Sequence, residues 1–434
     1  MKTSRRDGIT TTQTGIIVII VAIIIITGAY FGLTSLTPSS STTTSSTSVP
    51  SQVLIGLPAS TTGYATPFGT SCSQGAQWEA AQINKTGGIN GAMIKLVQID
   101  DESTAAQGST VGSELVGDHV IGVVSCSTDE PLLAMGPELD AAGIPEIVSL
   151  SGGPTVTVAI HDAFKMQLDA SVQGFAAAKY LAGVLGQTKI AVLISDQSYT
   201  DLAAQAFVSA LSNYTGATVV YTKTTQIGTS ATDYASIMTS IQASGATAIF
   251  FALFPPDAPT AIAQMGAAGI HDVAFATDTT DAGGNGTSNV AYGIAKQSLT
   301  GVYWPSLFLS TAPGAASFIS SYNSTYGHPP DFFAALGHDS VLVMADAIKA
   351  GGFTSSGILG ALPTIHDSTL LTGSLNGFTA DHRRIMPINI VQWKGTYTNL
   401  VVTYDQASII TPSPLPTTTT TAAIPVYRDG RELF

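Results

Sequence analysis

From residue 53 onward, short apolar runs alternate with longer stretches in which apolar positions recur every three or four residues. Residues 53–57 and 94–99 read as strands, and 72–85 as the helix between them. In that helix Ala76, Ala80 and Ile83 share a face with Trp78 or Glu79, Ser71 is placed to cap its start, and Gly87-Gly88 stop it. A strand at 120–124 leads into Asp129-Glu130-Pro131, an acidic helix start with proline in the first turn. Further strands are predicted at 144–150, 190–194, 218–221, 248–254, 273–276 and 301–304, most of them separated by helical stretches. Repetition of strand and helix predicts an α/β fold with two parallel sheets covered by helices, occupying residues 51–405. In such sheets ligands bind at the carboxyl ends of the strands, so the loops that follow each strand are where chemistry is expected.

The ends of the chain have a different pattern. Residues 1–15 carry Lys2, Arg5 and Arg6, and an apolar run follows at 16–33, after which no Lys or Arg occurs until Lys85. Eighteen residues span about 27 Å as a helix, enough to cross a bilayer. The charge asymmetry places the N-terminus in the cytoplasm and the body outside. The expectation is therefore a cell-membrane protein with a single span. Thr27-Gly28-Ala29 would serve a signal peptidase instead, and Arg6-Asp7-Gly8-Ile9 resembles pilin-type signals that leave the apolar helix attached. With no cysteine before Cys72, a lipoprotein tether is excluded. Residues 34–50 are Ser/Thr-rich and read as an extended stalk, and 406–434 as a Thr/Pro-rich tail.

Composition narrows the function. A formal net charge of −13, with basic residues scattered singly, offers no stripe to neutralise phosphates, so nucleic acid is not a partner. Charged residues make up 10% of the chain, a surface suited to an acidic exterior because few carboxylates remain to be titrated. Sequons at Asn84, Asn213, Asn285 and Asn323 fit a glycosylated, exported chain. Histidines adjoin aspartates, as in His338-Asp339, but no spaced His pair or Cys/His cluster suggests a metal, and no cofactor is expected. Ser149-Leu150-Ser151-Gly152-Gly153 approaches a nucleophile elbow but lacks its first glycine, which sets a serine hydrolase aside.

The loops carry a collinear set of motifs: Gly56-Leu57-Pro58, Thr61-Thr62-Gly63, Phe68-Gly69, Ile83-Asn84 with Gly87-Gly88-Ile89-Asn90-Gly91, Asp100-Asp101-Glu102 and Ser125-Cys126-Ser127-Thr128. Ala142-Gly143-Ile144-Pro145, Pro154 with Thr157, Tyr199 after Asp196, Ala268-Gly269-Ile270 and Gly337-x-Asp339 follow in order. Together they resemble the branched-chain amino-acid (Leu/Ile/Val) binding proteins of ABC transporters. The resemblance implies two doubly wound lobes joined by three crossings, one at about 51–167 plus 303–372 and the other at 168–302 plus 373–405. It also implies a non-enzymatic receptor that closes on a small solute, an amino acid or related amide, and delivers it to membrane permease subunits.

By the same resemblance, Ser127 or Thr128 and the helix N-terminus near Asp129 would hold the solute carboxylate. Ser151 and Gly152 would add backbone contacts, although the family usually has Thr where Gly152 stands. Asp278 would meet the ammonium group, with Asp281 close behind, and a retained carboxylate there favours an amine-bearing or cationic solute. Phe68 and Tyr199, with Trp304 or Tyr303, would form aromatic walls. Cys72 and Cys126 lie on segments expected to converge at the cleft, and either pair as a disulfide or remain two buried thiols. The rival class is a surface adhesin or filament protein on the same fold.

Overall fold

The computed structural model describes residues 49–228, 233–395 and 397–406, and two short strands, Val426–Arg428 and Arg431–Leu433. The apolar segment 16–33, nearly all of the stalk and most of the tail lie outside the described residues, within which no helix is long and apolar enough to cross a membrane.

The first sheet is parallel and contains β1 (Gln52–Ala59), β2 (Met93–Asp100), β3 (Val123–Ser125), β4 (Glu146–Val148) and β5 (Ala163–Lys165) in the order β2-β1-β3-β4-β5. Strand β1 is central, and Val53, Ile55, Leu57 and Ala59 are all buried along it. That explains why it reads as a nearly continuous apolar run, whereas edge strand β2 exposes Met93 and Lys95. The second sheet repeats this order with β6 (Lys189–Ser195) in the place of β1: β7 (Thr218–Thr225), β6, β8 (Ala248–Ala252), β9 (Val273–Ala276), β10 (Tyr303–Ser306).

Two strands then depart from the expected parallel pattern. β13 (Pro387–Trp393) runs antiparallel to β10, and β14 (Thr398–Asp405) antiparallel to β13. The connection from Trp393 to Thr398 is closed by a hydrogen bond from Lys394 N–H to Tyr397 O (2.8 Å) and is too short for a parallel crossover. A small pair, β11 (His366–Asp367) with β12 (Leu375–Asn376), stands apart from both sheets. The expected boundary at 302/303 falls just before β10, which hydrogen-bonds within the second sheet. The expected boundary at 372/373 likewise precedes a segment that is still beside the first sheet, where Lys165 N–H donates to His382 O (2.8 Å) and Arg384 N–H to Lys165 O (3.1 Å).

Helix α1 (Thr66–Lys85) begins earlier than the periodicity indicated, because Pro67 opens its first turn, and Ser71 lies inside it rather than capping it. It packs on the long buried helix α11 (Phe332–Gly351). Two glycines make this approach possible: a Cβ on Gly75 would stand 1.9 Å from Ala334 O, and one on Gly337 2.0 Å from Cys72 O. Asp339, fully buried, accepts from Leu371 N–H (3.0 Å) and Thr372 N–H (2.8 Å), so the Gly337-x-Asp339 motif packs a helix and ties down a loop. Between these lie α2 (Ala105–Gly117), α3 (Asp129–Ala141), α4 (Val156–Ala159), α5 (Ala170–Ala178), α6 (Ser198–Leu211), α7 (Tyr234–Ser244), α8 (Asp257–Ala267), α9 (Val290–Ala295) and α10 (Ala315–Tyr326), with α12 (Ser355–Ala361) after them.

Candidate functional site

In each sheet the strand order reverses beside the central strand, between β1 and β3 in one and between β6 and β8 in the other, and such switch points open a crevice at the carboxyl ends. The loops after these strands face each other across a partly open void of about 30 Å³, room for water rather than for an amino acid. One wall carries Tyr64, Phe68, Thr128, Asp129, Leu150, Ser151 and Gly152; the other carries Gln197, Tyr199, Phe254 and Asp278. A second void of about 180 Å³, lined in part by Asp281, Phe308, Asp331 and Thr398, shares no lining residue with the first, although Asp281 lies in the same turn as Asp278.

Tyr199 and Asp278 form the centre of the second wall. Asp278 follows β9 and is 3% exposed. Its Oδ1 accepts from the Tyr199 hydroxyl and its Oδ2 from Gln167 Nε2 (3.4 Å), while its backbone N–H donates to Gln173 Oε1 (3.1 Å). Gln173 in turn donates to the Tyr199 oxygen (2.5 Å). Burial pushes the Asp278 carboxyl up to about 6, against the hydrogen bonds of Tyr199 and Gln173, which favour its charged form. Burial also drives Tyr199 well above its ordinary value, and the neighbouring Asp278 charge adds to this. A buried carboxyl with a single phenolic partner and two amide side chains nearby is equipped to meet a cation.

Asp129 holds the opposite wall together. It is the first residue of α3, 7% exposed, and its Oδ1 accepts from the Ser151 hydroxyl and from Gly153 N–H (3.2 Å). Behind this loop, fully buried Lys165 donates to Gly153 O (2.9 Å) and pairs with Asp169, which also binds Arg383 Nη1 (2.7 Å). Burial pulls the Lys165 ammonium down to about 7, with the Asp129 charge working in the other direction. Tyr64 donates to Glu130 Oε2 (2.8 Å) and lies 3.2 Å from Thr128 Oγ1.

Phe254, just past β8, reaches between the walls, with ring centroids 5.8 Å from Tyr64, 5.9 Å from Phe68 and 5.5 Å from Tyr199. Phe68 is also 5.0 Å from Phe333.

The structure therefore brings Phe68, Thr128, Ser151, Gly152, Tyr199 and Asp278 together around one void. Ser127 does not line it: its side chain is fully buried beside the Asp101 carboxyl, because alternate residues of the loop after β3 point opposite ways. Trp304 and Tyr303 are not walls either. Trp304 is buried against Trp393 and donates to Asp281 (3.2 Å), and Tyr303 packs on Tyr180. Asp281 faces the second void, where burial, with Asp331 adding to it, lifts it to about 7. Cys72 and Cys126 form a disulfide, Cα atoms 5.6 Å apart, that fastens α1 to the loop after β3. Sequence reasoning missed Tyr64, Phe254 and Gln167, and it saw Asp129 and Glu130 only as helix-starting residues. Phe254 ends an apolar run directly at a switch point, a signal that could have marked it.

This fold and this cleft define a bilobed solute-binding protein. The sequence model of the periplasmic binding protein family matches residues 52–398, and the chain belongs to that family of solute-binding proteins, which are not enzymes. An amino acid binding protein of Pseudomonas aeruginosa is 32% identical over 222 residues, 51% of this chain and 59% of that one. The Leu/Ile/Val-binding protein homolog 3 of Brucella melitensis is 24% identical over 329 residues, 75% of this chain and 86% of that one. The branched-chain amino acid transporter substrate binding protein LivJ of Streptococcus pneumoniae, solved with isoleucine, shares the fold with a TM-score of 0.73 at 24% identity, covering 82% of this chain and 99% of that one. A Rhodopseudomonas palustris solute binding protein in complex with benzoate has a TM-score of 0.71 at 17% identity, covering 81% and 96%.

Proposed function

We propose that this chain is the extracytoplasmic receptor of an ABC importer, tethered to the cell membrane by the segment at 16–33, and that it captures an amine-bearing solute of amino-acid type for delivery to separate permease subunits. The observation that carries the reading is the buried Asp278 carboxyl at the meeting point of the lobes, whose hydrogen bond from Tyr199 a solute ammonium group would replace. The lobes would part by hinge motion to admit the solute and Tyr199 would swing aside, since the closed cleft leaves only about 30 Å³. Phe68, Phe254 and Leu150 would cover its apolar part, which suits an aliphatic side chain of the kind the isoleucine-bound relative holds.

The test is thermal shift and calorimetry of the full chain against amino acids, their amides, urea, sugars and aromatic acids. Saturable stabilisation that grows with ligand concentration over Kd supports the receptor reading. Absence of binding across the panel removes it.

A further inference from the structure

The charged residues lining the interlobe void are all acidic: Asp129, Glu130 and Asp278. Among the described residues no lysine or arginine lines it. The buried cation behind the Ser151–Gly153 loop, Lys165, is committed to Asp169 and to Gly153 O, and Arg383 is shared between Asp169 and Asp381. Lys165 lies behind the loop and feels the Asp129 charge, but its own bonds go to Asp169 and Gly153 O, so no cation is bonded to the acidic lining from within the void.

Three hydrogen-bond donors of the first wall, the Tyr64 and Ser151 hydroxyls and Gly153 N–H, are engaged by the chain's own carboxylates. A helix start with adjacent backbone N–H and hydroxyl groups is suited to an anion. Here the anion is supplied by the chain, because Asp129, at the start of α3, takes the Ser151 hydroxyl and Gly153 N–H itself. A Cβ on Gly153 would stand 2.6 Å from Asp129 Oδ2, so the second oxygen is packed against the same loop. A solute carboxylate entering this wall would meet a fixed carboxylate that already holds the Ser151 hydroxyl and Gly153 N–H, and like charges at short range repel.

We infer that Asp129 sets the charge class of the solute: the site takes an amine whose carboxyl group is absent or masked as an amide, and excludes free amino acids. The inference rests on the receptor reading above and narrows it. Asp278 would face the ammonium, and Asp129 would add attraction for the same cation or accept a hydrogen bond from a carboxamide N–H.

Calorimetry on the full chain at about pH 6.5, where an α-amino group is charged, separates the possibilities. The probes are glycine, leucine and phenylalanine, the amide of each, and 4-methylpentanoate, which keeps leucine's carboxylate and lacks its amine. At least one amide should bind ten times or more tighter than its parent amino acid, and 4-methylpentanoate should not bind. Asp129→Asn, which keeps an acceptor for Ser151 and Gly153 and removes the charge, should shrink that ratio to threefold or less. Ser151→Ala, which keeps the charge, should preserve it, and thermal unfolding without ligand checks that both variants fold. Should a free amino acid bind as tightly as its amide to the unmodified chain, the inference is wrong while the receptor reading stands. A best response to 4-methylpentanoate overturns it too, and with it the ammonium role of Asp278. If none of these probes binds but another solute of the wider panel does, the inference falls and the receptor remains; if nothing binds, both fall.

Discussion

The ring of Tyr199 occupies the space that a side chain at position 152 would need: a Cβ built on Gly152 would lie 2.5 Å from Tyr199 Cε2. The two residues belong to facing walls, so this contact lets the lobes close with Tyr199 bonded to Asp278.

Gly152→Thr should therefore displace Tyr199 and loosen the closed form. Overpacking of this kind typically costs about 1–3 kcal/mol. A lower unfolding temperature without ligand and a larger radius of gyration in small-angle scattering are expected. An unchanged profile in both measurements would mean that the ring moves aside freely.

Asp278→Asn removes the charge that an ammonium group would meet. Affinity for any amine-bearing solute found in the panel should fall more than tenfold, a loss above about 1.4 kcal/mol. Calorimetry reads this directly, and retention of wild-type affinity would place the ammonium elsewhere.

Stability should rise on mild acidification. Burial lifts Asp278 to about 6, Asp281 to about 7 and Glu146 to about 8, the last only partly opposed by the Ser125 hydroxyl. In the unfolded chain such groups titrate near 4. Between those values the folded protein holds protons that the unfolded chain has released, so this stability is fully present below about pH 4 and is lost as pH rises through about 6 to 8. His338 acts in the same sense: burial opposes its charge, but Asp339 and Glu79 outweigh burial and raise it to about 9. Lys165, lowered to about 7, acts oppositely, favouring the folded state only as pH climbs above that value. Thermal unfolding followed by circular dichroism should show a higher midpoint at pH 5 than at pH 7, and Glu146→Gln should flatten the difference. Early unfolding near pH 4 would contradict this reading.

The Cys72–Cys126 bridge closes a 54-residue separation, worth about 4 kcal/mol in the chain-entropy account. Reduction, or replacement of both cysteines by serine, should lower the denaturant midpoint accordingly. Because the bridge anchors the loop that bears Thr128 and Asp129, solute affinity should fall as well.

If the body is exposed outside the cell, glycans should be found on Asn213 and Asn323, whose side chains face solvent, and not on Asn84. Asn84 donates to Ile94 O (2.8 Å) and accepts from Ile94 N–H (2.7 Å), which ties its amide to the start of β2. Glycopeptide mass spectrometry of protein from native membranes would decide it.

Much of this molecule is legible along the chain. Central strands such as β1 and β6 are apolar on both faces because helices cover both, and alternation with helical period is a local pattern that survives in the sequence. The family motifs likewise located Thr128, Ser151, Tyr199 and Asp278, since each follows a strand end. Ser127 escaped because adjacent loop residues are chemically alike, and only the backbone path decides which faces the void. Trp304 and Tyr303 were drawn into the site because a large aromatic beside a strand end reads the same whether it lines a cleft or fills a core.

The sequence by itself determined most of the strand and helix order up to about residue 304, the family, and the set of loops that carry the site, all of which depend on residue type and spacing. Only the tertiary structure decided that Asp129 is bound by Ser151 and Gly153, that Phe254 reaches across to Tyr64 and Phe68, and that β13 and β14 join antiparallel. Of these, only Phe254 joins the loops of the two sheets; the Asp129 bonds depend on how two neighbouring loops of the first sheet lie, and β13 pairs with β14 as a hairpin, so in each case the backbone path rather than residue type decides.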